Sequence, residues 1–377
     1  MSFTFLHTAD WQIGKAFAGM PADVAAALGE ARLSAIDRLA TVAVGAGARY
    51  VLVAGDVFDA ETLAPKTLRQ ALSRMARHAG LTWHLLPGNH DPLRPAGLWE
   101  RLKRDGLPGN VRLILEPRPI EIESGVWLLP APLTGRATGS DPTAYMDGAA
   151  TPPEALRIGL AHGSVRGFGS SGTAAVGIGL TRAESARLDY LALGDWHGAQ
   201  EVAPRTWYSG TPEPDRFLGN EPGHALIVRL AQGGAMPVVT RLPTAQFHWR
   251  QVRLDIAGSE DLSNLEASLS GPDLEANTVL LQLALVGRVS AAGRQEVLKR
   301  LRTLEAGLRH LEADLSRLTL RAAPGGLDAL GEAGDLRCIG ERLTALATGP
   351  VPEEAAVATE ALGLLLDLAG EARGAGA

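Results

Sequence analysis

Residues 83–91 read Trp-His-Leu-Leu-Pro-Gly-Asn-His-Asp, so that a short apolar run is followed at once by a cluster of polar side chains. A short apolar run bounded by turn residues is typical of a buried strand. Polar groups follow apolar runs in four other places, at His7–Gln12, Gly55–Asp59, His162 and Gly194–His197. Because sites in open α/β sheets form at the carboxyl ends of strands, the five segments predict an α/β fold with one shared site.

The composition limits the classes of protein to consider. A chain of 377 residues is long enough for two or three domains. Its net charge of −6 gives no support for a generally basic nucleic-acid-binding protein. Residues 1–245 hold 23 Lys and Arg against 23 Asp and Glu, whereas residues 246–377 hold 13 against 19. The single Cys338 excludes an intrachain disulfide and a zinc knuckle built on cysteines.

The N-terminus has no basic leader segment, and no window approaches the roughly 20 apolar residues of a membrane span. We therefore expect a cytoplasmic protein.

Helical periodicity over 22–47 and 65–79, between the first three apolar runs, predicts βαβ units and a parallel sheet. The Gly-rich stretches 133–153 and 163–179 are predicted to be loops. A second pattern begins near residue 250 and predicts a small α+β domain. Its predicted elements are a strand at 252–255, a helix at 259–269, a strand at 279–286, a long charged helix at 290–316 and a short strand at 318–320.

The polar clusters have the residue types of a two-metal site. A phosphate diester resists attack because its oxygens are anionic and its alkoxide leaving group is poor. Two divalent ions about 4 Å apart can hold the phosphate, supply hydroxide at neutral pH and stabilise the leaving oxygen. Asp56, at the tip of a central strand, is the best candidate for the carboxylate that bridges the ions. We expect Asp10 and His197 to complete the ligands of one ion, and Asn89 and His162 those of the other.

Two further residues of the Gly88–Asp91 run are predicted to take part. His90 should point toward the substrate, where it would protonate the leaving group or stabilise the transition state. Asp91 is expected to accept a hydrogen bond from an imidazole and to set the orientation of that ring. A turn alone would explain the Gly-Asn pair, but a turn does not need His90.

The ordered motifs resemble those of the calcineurin-like metallophosphoesterases over residues 3–216. They are Asp10-Trp11-Gln12, Gly55-Asp56, Gly88-Asn89-His90-Asp91, Ala161-His162-Gly163 and Gly194-Asp195-Trp196-His197. Within that superfamily the chain is similar to SbcD-type DNA repair exonucleases at His7-Thr8-Ala9-Asp10, Gly55–Asp59 and Tyr208-Ser209-Gly210-Thr211.

The sequence departs from the family's pattern at two metal-binding positions. The resemblance implies a histidine where this chain has Gln12 and another where it has Asp195. Both replacements keep a side-chain oxygen, which favours Mn²⁺ or Mg²⁺ over Zn²⁺. The expected cofactor is therefore a pair of divalent ions, with Mn²⁺ preferred and Mg²⁺ as the alternative. At this point the ligand and non-ligand interpretations of Gln12 and Asp195 both stay open.

The resemblance also implies an architecture and an activity. The implied fold is a four-layer α/β/β/α sandwich at 1–245, an α+β accessory domain at 246–323 that caps the substrate, and a helical segment at 324–377. The implied activity is that of a two-metal DNA exonuclease or endonuclease in DNA repair, in which a metal-bound hydroxide attacks the phosphorus. The implied partners are DNA, a coiled-coil ATPase of the SbcC type and a second copy of the chain.

Several alternatives remain open. The balanced charge of residues 1–245 is compatible with a phosphodiesterase for nucleotides or other small molecules, because a nuclease groove is normally basic. Gln12 and Asp195 are compatible with a weakened subunit that only binds DNA or an ATPase. Arg166 could contact a nucleic-acid backbone, although an ordinary solvated arginine is the simpler interpretation. The apolar stretches 328–347 and 354–368 could dock a partner, or could equally pack against their own domain.

Overall fold

The computed structural model consists of two compact units, residues 1–247 and 248–377. None of the helices in the part of the chain that it describes is long and apolar enough to cross a membrane. The described residues are 2–135, 139–168, 177–217, 219–231, 234–256, 260–269, 275–289, 291–320, 327, 330 and 334–374.

The first unit alternates strands and helices through its first half, as the periodicity predicts. Its helices are α1 (Ala22–Gly45), α2 (Pro65–Arg77), α3 (Leu98–Asp105) and α4 (Arg182–Ser185), with a 3-10 turn at Ala144–Gly148. Its strands are β1 (Ser2–Thr8), β2 (Tyr50–Val53), β3 (Thr82–Leu85), β4 (Val111–Leu113), β5 (Ile120–Glu123), β6 (Val126–Ala131), β7 (Leu156–His162), β8 (Ser164–Val165), β9 (Gly177–Ile178), β10 (Tyr190–Gly194), β11 (Gln200–Ala203), β12 (Thr206–Tyr208), β13 (His224–Ala231) and β14 (Val238–Pro243).

Twelve of these strands form two six-stranded sheets, with the orders β14-β13-β1-β2-β3-β4 and β11-β12-β10-β7-β6-β5. β1 to β4 are parallel because a helix separates each from the next, as the βαβ prediction requires. β6, β7, β10 and β12 are also parallel, and antiparallel strands occupy the remaining places. The carboxyl ends of the central parallel strands therefore meet at one edge of each sheet.

The central strands of both sheets, such as β2, β3, β7 and β10, are buried on both faces, which explains why their sequences read as continuous apolar runs. In β1, Phe5 belongs to the core between the two sheets and Leu6 to the core that includes Ile36 of α1. In β10, Tyr190 belongs to the core between the sheets, whereas Leu191 belongs to a third core with residues of α4. Three cores between four layers confirm the predicted metallophosphoesterase-like sandwich.

The second unit is built around a three-stranded sheet in the order β15-β16-β17. The sheet is parallel throughout, because each strand is followed by a helix that returns the chain to the same end. The sequence predicts a small α+β domain here, and the structure shows in addition that its strands and helices alternate along the chain. Its elements are β15 (His248–Ile256), α5 (Glu260–Ser268), β16 (Val279–Val289), α6 (Ala291–Gly307), β17 (His310–Leu320), α7 (Asp335–Ala347) and α8 (Pro352–Gly374), with a 3-10 turn at Ala276–Thr278.

The long helix predicted over 290–316 is wrong in its last third, because α6 ends at Gly307 and β17 follows. Leu311 and Leu315 are partly buried on this strand. A register shift in the ladder between β16 and β17 then changes which positions face the core, so that Leu318 is buried. The charged residues between these leucines resemble a helix surface, and the bulge hides the period of two that would have indicated a strand.

The predicted loops and domain limits have mixed outcomes. The 133–153 stretch contains the 3-10 turn, and the 163–179 stretch contains β8 and β9 with residues 169–176 outside the described part. The limit between 323 and 324 also lies outside the described residues. The three-part division at 1–245, 246–323 and 324–377 therefore stays a prediction.

Candidate metal centre

The carboxyl ends of five strands, and the loops that follow them, bring the predicted metal-binding residues close together. The first sheet supplies Asp10 and Gln12 after β1, Asp56 after β2, and Asn89 after β3. The second sheet supplies His162 at the end of β7, and Asp195 and His197 after β10. One network connects most of these residues. The Asn89 amide donates to Asp195 at 3.2 Å, the Asp195 N–H donates to the Asp10 carboxylate at 3.2 Å, and His162 Nε2 lies 3.5 Å from Asp56 Oδ1.

The backbone at these strand ends is held in an unusual conformation. Four of the eight described non-glycine residues with positive φ are Asp10, Gln12, Asp56 and Asp195, with φ of 55°, 43°, 53° and 105°. Left-handed backbone costs a non-glycine residue on the order of 1–3 kcal/mol and is typical of functional sites. Its persistence here shows that the surrounding structure determines where these side chains lie.

Two glycines allow the polar loops to approach each other closely. A Cβ atom on Gly88 would lie 2.2 Å from Asp56 Oδ1, and one on Gly194 would lie 2.1 Å from the Ala54 carbonyl oxygen. Both positions therefore require glycine, because the displaced atoms belong to the backbone or to a buried site residue.

His162 is the residue whose surroundings point most clearly to a cation site. Its Nδ1–H donates to the Ala54 carbonyl at 2.8 Å, while its Nε2 is buried without a hydrogen-bond partner among the described atoms. Burial disfavours the imidazolium, but the carboxylates of Asp56, Asp10 and Asp195 outweigh it and raise the pKa of His162 to about 9. The carboxylates that raise this pKa give the site the negative charge that a metal ion requires.

Asp10 completes a cluster with Asp56 and His162. One ligand atom from each of the three lies within 4.8 Å of the others, and all three residues are buried. Burial raises the pKa of Asp10 to about 6, against the opposing effect of the two imidazoles. Buried carboxylates that face one another are costly unless a cation neutralises them. The donor set of carboxylate oxygens and an imidazole nitrogen therefore fits a divalent metal.

The other imidazole of the site, His197, is tied to side chains on its far side. Its Nδ1–H donates to Asp215 Oδ1 at 3.0 Å, and Asp215 also pairs with Lys15 at 3.0 Å. Burial would raise the pKa of Asp215, but His197 and the Arg32 and Arg216 guanidinium groups hold it well below its usual range. Lys15 donates to Gln12 Oε1 at 3.1 Å, and the Gln12 amide nitrogen lies 3.5 Å from His197 Nε2.

Comparison with known proteins agrees with this geometry. Residues 3–174 match the model of the calcineurin-like phosphoesterase family. Residues 3–174 are therefore similar to a calcineurin-like phosphoesterase domain over a little less than half of the chain. Proteins of that family bind divalent metals and hydrolyse phosphoesters, which supports the predicted superfamily and agrees with the candidate metal cluster of Asp10, Asp56 and His162.

Two further comparisons complete the picture. The crystal structure of TT1561 from Thermus thermophilus is similar to this chain, with 11% identity over 60% of this chain and 94% of that chain and a TM-score of 0.39. No curated protein matches this sequence.

In the candidate site, the described contacts of the Asp91 carboxylate are with backbone N–H groups and not with an imidazole, in contrast to the prediction. Its carboxylate accepts the N–H groups of Gly88 at 2.7 Å and Phe58 at 2.9 Å, and its backbone oxygen accepts from Trp99. Burial raises the pKa of Asp91 well above its usual range. Asp91 thus joins the loops after β2 and β3, and Asp215 instead contacts an imidazole.

Arg166 turns back onto its own loop in the phosphoesterase domain, where its Nε donates to the Gly177 carbonyl at 3.0 Å. The side chain is exposed, so its predicted contact with substrate stays a prediction. His7, whose role the sequence leaves open, is fully buried. Its Nε2–H donates to the Leu193 carbonyl at 3.1 Å and its Nδ1 accepts from Tyr190 at 3.0 Å, so it belongs to the scaffold.

Sequence reasoning missed three polar residues that support the site, namely Lys15, Ser164 and Asp215. Ser164 donates to Asp195 Oδ2 at 2.6 Å. Ser164 lies two residues after His162, and Asp215 lies just after the Tyr208–Thr211 turn. Their closeness to recognised motifs was the available signal. Lys15 also lies close to a motif, three residues after Gln12, but only the fold shows that it faces Asp215.

Proposed function

We propose that this chain is a two-metal-dependent phosphodiesterase that hydrolyses DNA as a repair exonuclease or endonuclease. The observation that carries the proposal is the buried cluster of Asp10, Asp56 and His162, in which His162 Nε2 has no partner among the described atoms. Hydrolysis of a phosphodiester needs concentrated positive charge beside a position for water, and these donors are arranged to hold that charge.

In this proposal the ligands divide between two positions that share Asp56. Asp10 and His197, with Gln12 beside them, would hold one ion. Asn89, His162 and Asp195 would hold the other. Two bound divalent ions would supply Lewis acidity toward the phosphate and an activated water. The mixed oxygen and nitrogen donors favour Mn²⁺, with Mg²⁺ as the alternative.

His90 is the residue proposed to manage the leaving-group proton. Its Nδ1–H donates to the Asp59 carbonyl at 3.0 Å, which directs Nε2 toward the site, 3.9 Å from Asp56 Oδ2. The side chain is 40% exposed, so a substrate can reach it. Held in this way, His90 Nε2 would bind a proton and pass it to the departing oxygen, a contribution typically worth about 10²–10⁴-fold in rate.

DNA as substrate, and the partners, follow from the similarity to SbcD-type exonucleases. We propose that a coiled-coil ATPase of the SbcC type docks on α7 and α8, and that the chain forms a homodimer. Leu336 and Ile339 of α7 and Val357 and Leu364 of α8 are exposed apolar side chains, which supports docking there. The two helices also pack against each other near Gly340, which accounts for part of their apolar content without a partner.

A second candidate function is hydrolysis of small nucleotide diesters. The observation that favours it is the equal number of basic and acidic residues in 1–245. A nuclease normally has a basic path for the phosphate backbone.

The test compares linear duplex DNA with the p-nitrophenyl ester of thymidine 5′-phosphate, each with and without Mn²⁺. A nuclease degrades both and loses both activities in Asp56→Asn, whereas a nucleotide phosphodiesterase hydrolyses only the small ester. Asp105→Asn, an exposed residue of α3, is the matched control and should behave as the unmodified protein. Stoichiometric metal binding without turnover of either substrate would contradict the proposal and indicate a non-catalytic subunit.

A further inference from the structure

Four side chains form a closed ring beside the candidate metal centre: Lys15, Gln12, His197 and Asp215. Lys15 Nζ lies 3.1 Å from Gln12 Oε1 and 3.0 Å from Asp215 Oδ2. The Gln12 amide nitrogen lies 3.5 Å from His197 Nε2, and His197 Nδ1 lies 3.0 Å from Asp215 Oδ1. The ring thus joins a residue predicted to bind metal to a lysine ammonium.

The chemistry of the four groups determines which atom donates in each contact. A lysine ammonium can only donate, so the Gln12 atom that faces Lys15 is the amide oxygen. The Gln12 NH₂ group must then face His197. The Asp215 carboxylate accepts, so His197 carries its hydrogen on Nδ1 and presents a lone pair at Nε2. The nitrogen of His197 that would bind a metal therefore faces an N–H donor, in a long hydrogen bond.

His162 presents the opposite arrangement on the other side of Asp56. Its Nδ1–H donates to a backbone carbonyl, and its Nε2 has no hydrogen-bond partner among the described atoms. A cation that binds this nitrogen therefore breaks no hydrogen bond of the imidazole among the described atoms. At His197, by contrast, an ion has to displace the Gln12 N–H and to approach the Lys15 ammonium.

We propose that Lys15 is a positioning residue that turns the Gln12 oxygen away from the site and makes the metal position at His197 weaker than the position at His162. The inference rests on the proposed two-metal function. It deepens that function, because the occupancy of the weaker position would then change with the Mn²⁺ concentration. Hydrolytic activity would follow that occupancy. Gln12 has the role of a cap on His197 and not that of a ligand.

The test is a Mn²⁺ titration of the metal-free protein, followed by calorimetry and by electron paramagnetic resonance, which separates a single ion from a coupled pair. We expect one ion to bind at least ten-fold more tightly than the second. We call the ratio of the two Mn²⁺ affinities the gap. Lys15→Met should narrow this gap by about five-fold or more, because it removes a positive charge and releases the Gln12 amide. Lys15→Arg keeps the donor and should keep the gap. Lys103→Met, at an exposed lysine of α3, is the matched control.

Gln12→Met provides a second variant that does not depend on Lys15. If Gln12 caps His197, this change should also narrow the gap, whereas loss of an oxygen ligand would widen it. Two equally tight ions in the unmodified protein, an unchanged gap in Lys15→Met, or a wider gap in Gln12→Met would each overturn the inference. Hydrolysis of the thymidine ester at saturating Mn²⁺ tests the proposed function separately, because it can succeed whichever way the two affinities fall.

Discussion

The two imidazoles of the candidate metal centre differ in what surrounds them. His162 is fully buried and keeps Nε2 without a partner among the described atoms, 3.5 Å from Asp56. His197 is slightly exposed, and both of its nitrogens have side-chain neighbours. A buried polar atom without a partner costs free energy unless something binds it, so it indicates a ligand site more strongly than residue type alone does. The half of the site around His162 is therefore ready for a cation, and the half around His197 is closed by its neighbours.

Replacing Asp56, the carboxylate proposed to be shared by the two metal positions, should have the largest effect. Asp56→Asn keeps the size of the side chain and the acceptor for the backbone N–H of His90. It removes the negative charge between the two proposed metal positions. We expect phosphodiesterase activity to fall by about 10³-fold or more, because bound metal supplies several kcal/mol of transition-state stabilisation. Activity assays and Mn²⁺ binding check this together, with Asp105→Asn as the control. An Asn variant that keeps both ions and full activity would contradict the shared role of Asp56.

Substitution of each imidazole in turn separates the two halves. His162→Gln should abolish the tighter Mn²⁺ binding, whereas His197→Gln should leave that ion in place and affect only the weaker one. Activity should fall in both, by about 10²-fold or more if each ion contributes to charge stabilisation. Equilibrium dialysis with Mn²⁺ measures the difference, and His224→Gln controls for the loss of a histidine outside the site. Equal loss of both ions in the two variants would show that the halves are not distinct.

Asp215 offers a milder change in the His197 half alone. Asp215→Asn keeps an acceptor for the His197 Nδ1–H but removes the negative charge that also binds Lys15. Partners of metal-binding histidines are typically worth about 10–100-fold in metal affinity or activity. We expect the weaker ion to lose affinity by an amount in that range while the tighter ion is unchanged. If the tighter ion loses affinity instead, Asp215 supports the half of the site around His162, and this prediction is wrong.

The comparison also shows how far sequence reasoning reached. Apolar runs followed by polar clusters predicted the strands, and the closeness of Asp10 and Asp56 follows because parallel strands of one sheet end at the same edge. His162 comes from the second sheet, and its place beside them follows from the packing of the two sheets and not from strand periodicity. The same reasoning could not predict the Lys15 and Asp215 contacts, which depend on loop paths far apart in the sequence. It assigned Asp91 to an imidazole because residue type suggested a role, whereas two nearby backbone N–H groups compete for its oxygens. In the second unit, the bulge in β17 hid the alternation that separates a strand from a charged helix.

A third imidazole, His7, sharpens the comparison with the smallest expected effect. It is as buried as His162, but both nitrogens have partners inside the scaffold, and burial lowers the pKa of His7 to about 3. A neutral His7 contributes its full stabilisation at pH values above about 6.5, the pKa of histidine in the unfolded chain. This contribution is lost as the pH falls from about 6.5 toward 3, because the unfolded chain binds a proton that the folded chain excludes. For one proton, the free energy of unfolding changes by at most about 1.4 kcal/mol per pH unit.

In His7→Gln, whose amide can also donate to Leu193 and accept from Tyr190, the free energy of unfolding should depend less on pH between 6.5 and 4. Urea unfolding of the metal-free protein at several pH values measures this, while activity at neutral pH should be unchanged. If the variant keeps the full pH dependence, the acid sensitivity must come from other buried groups such as His84, whose pKa is lowered to about 4 mainly by burial.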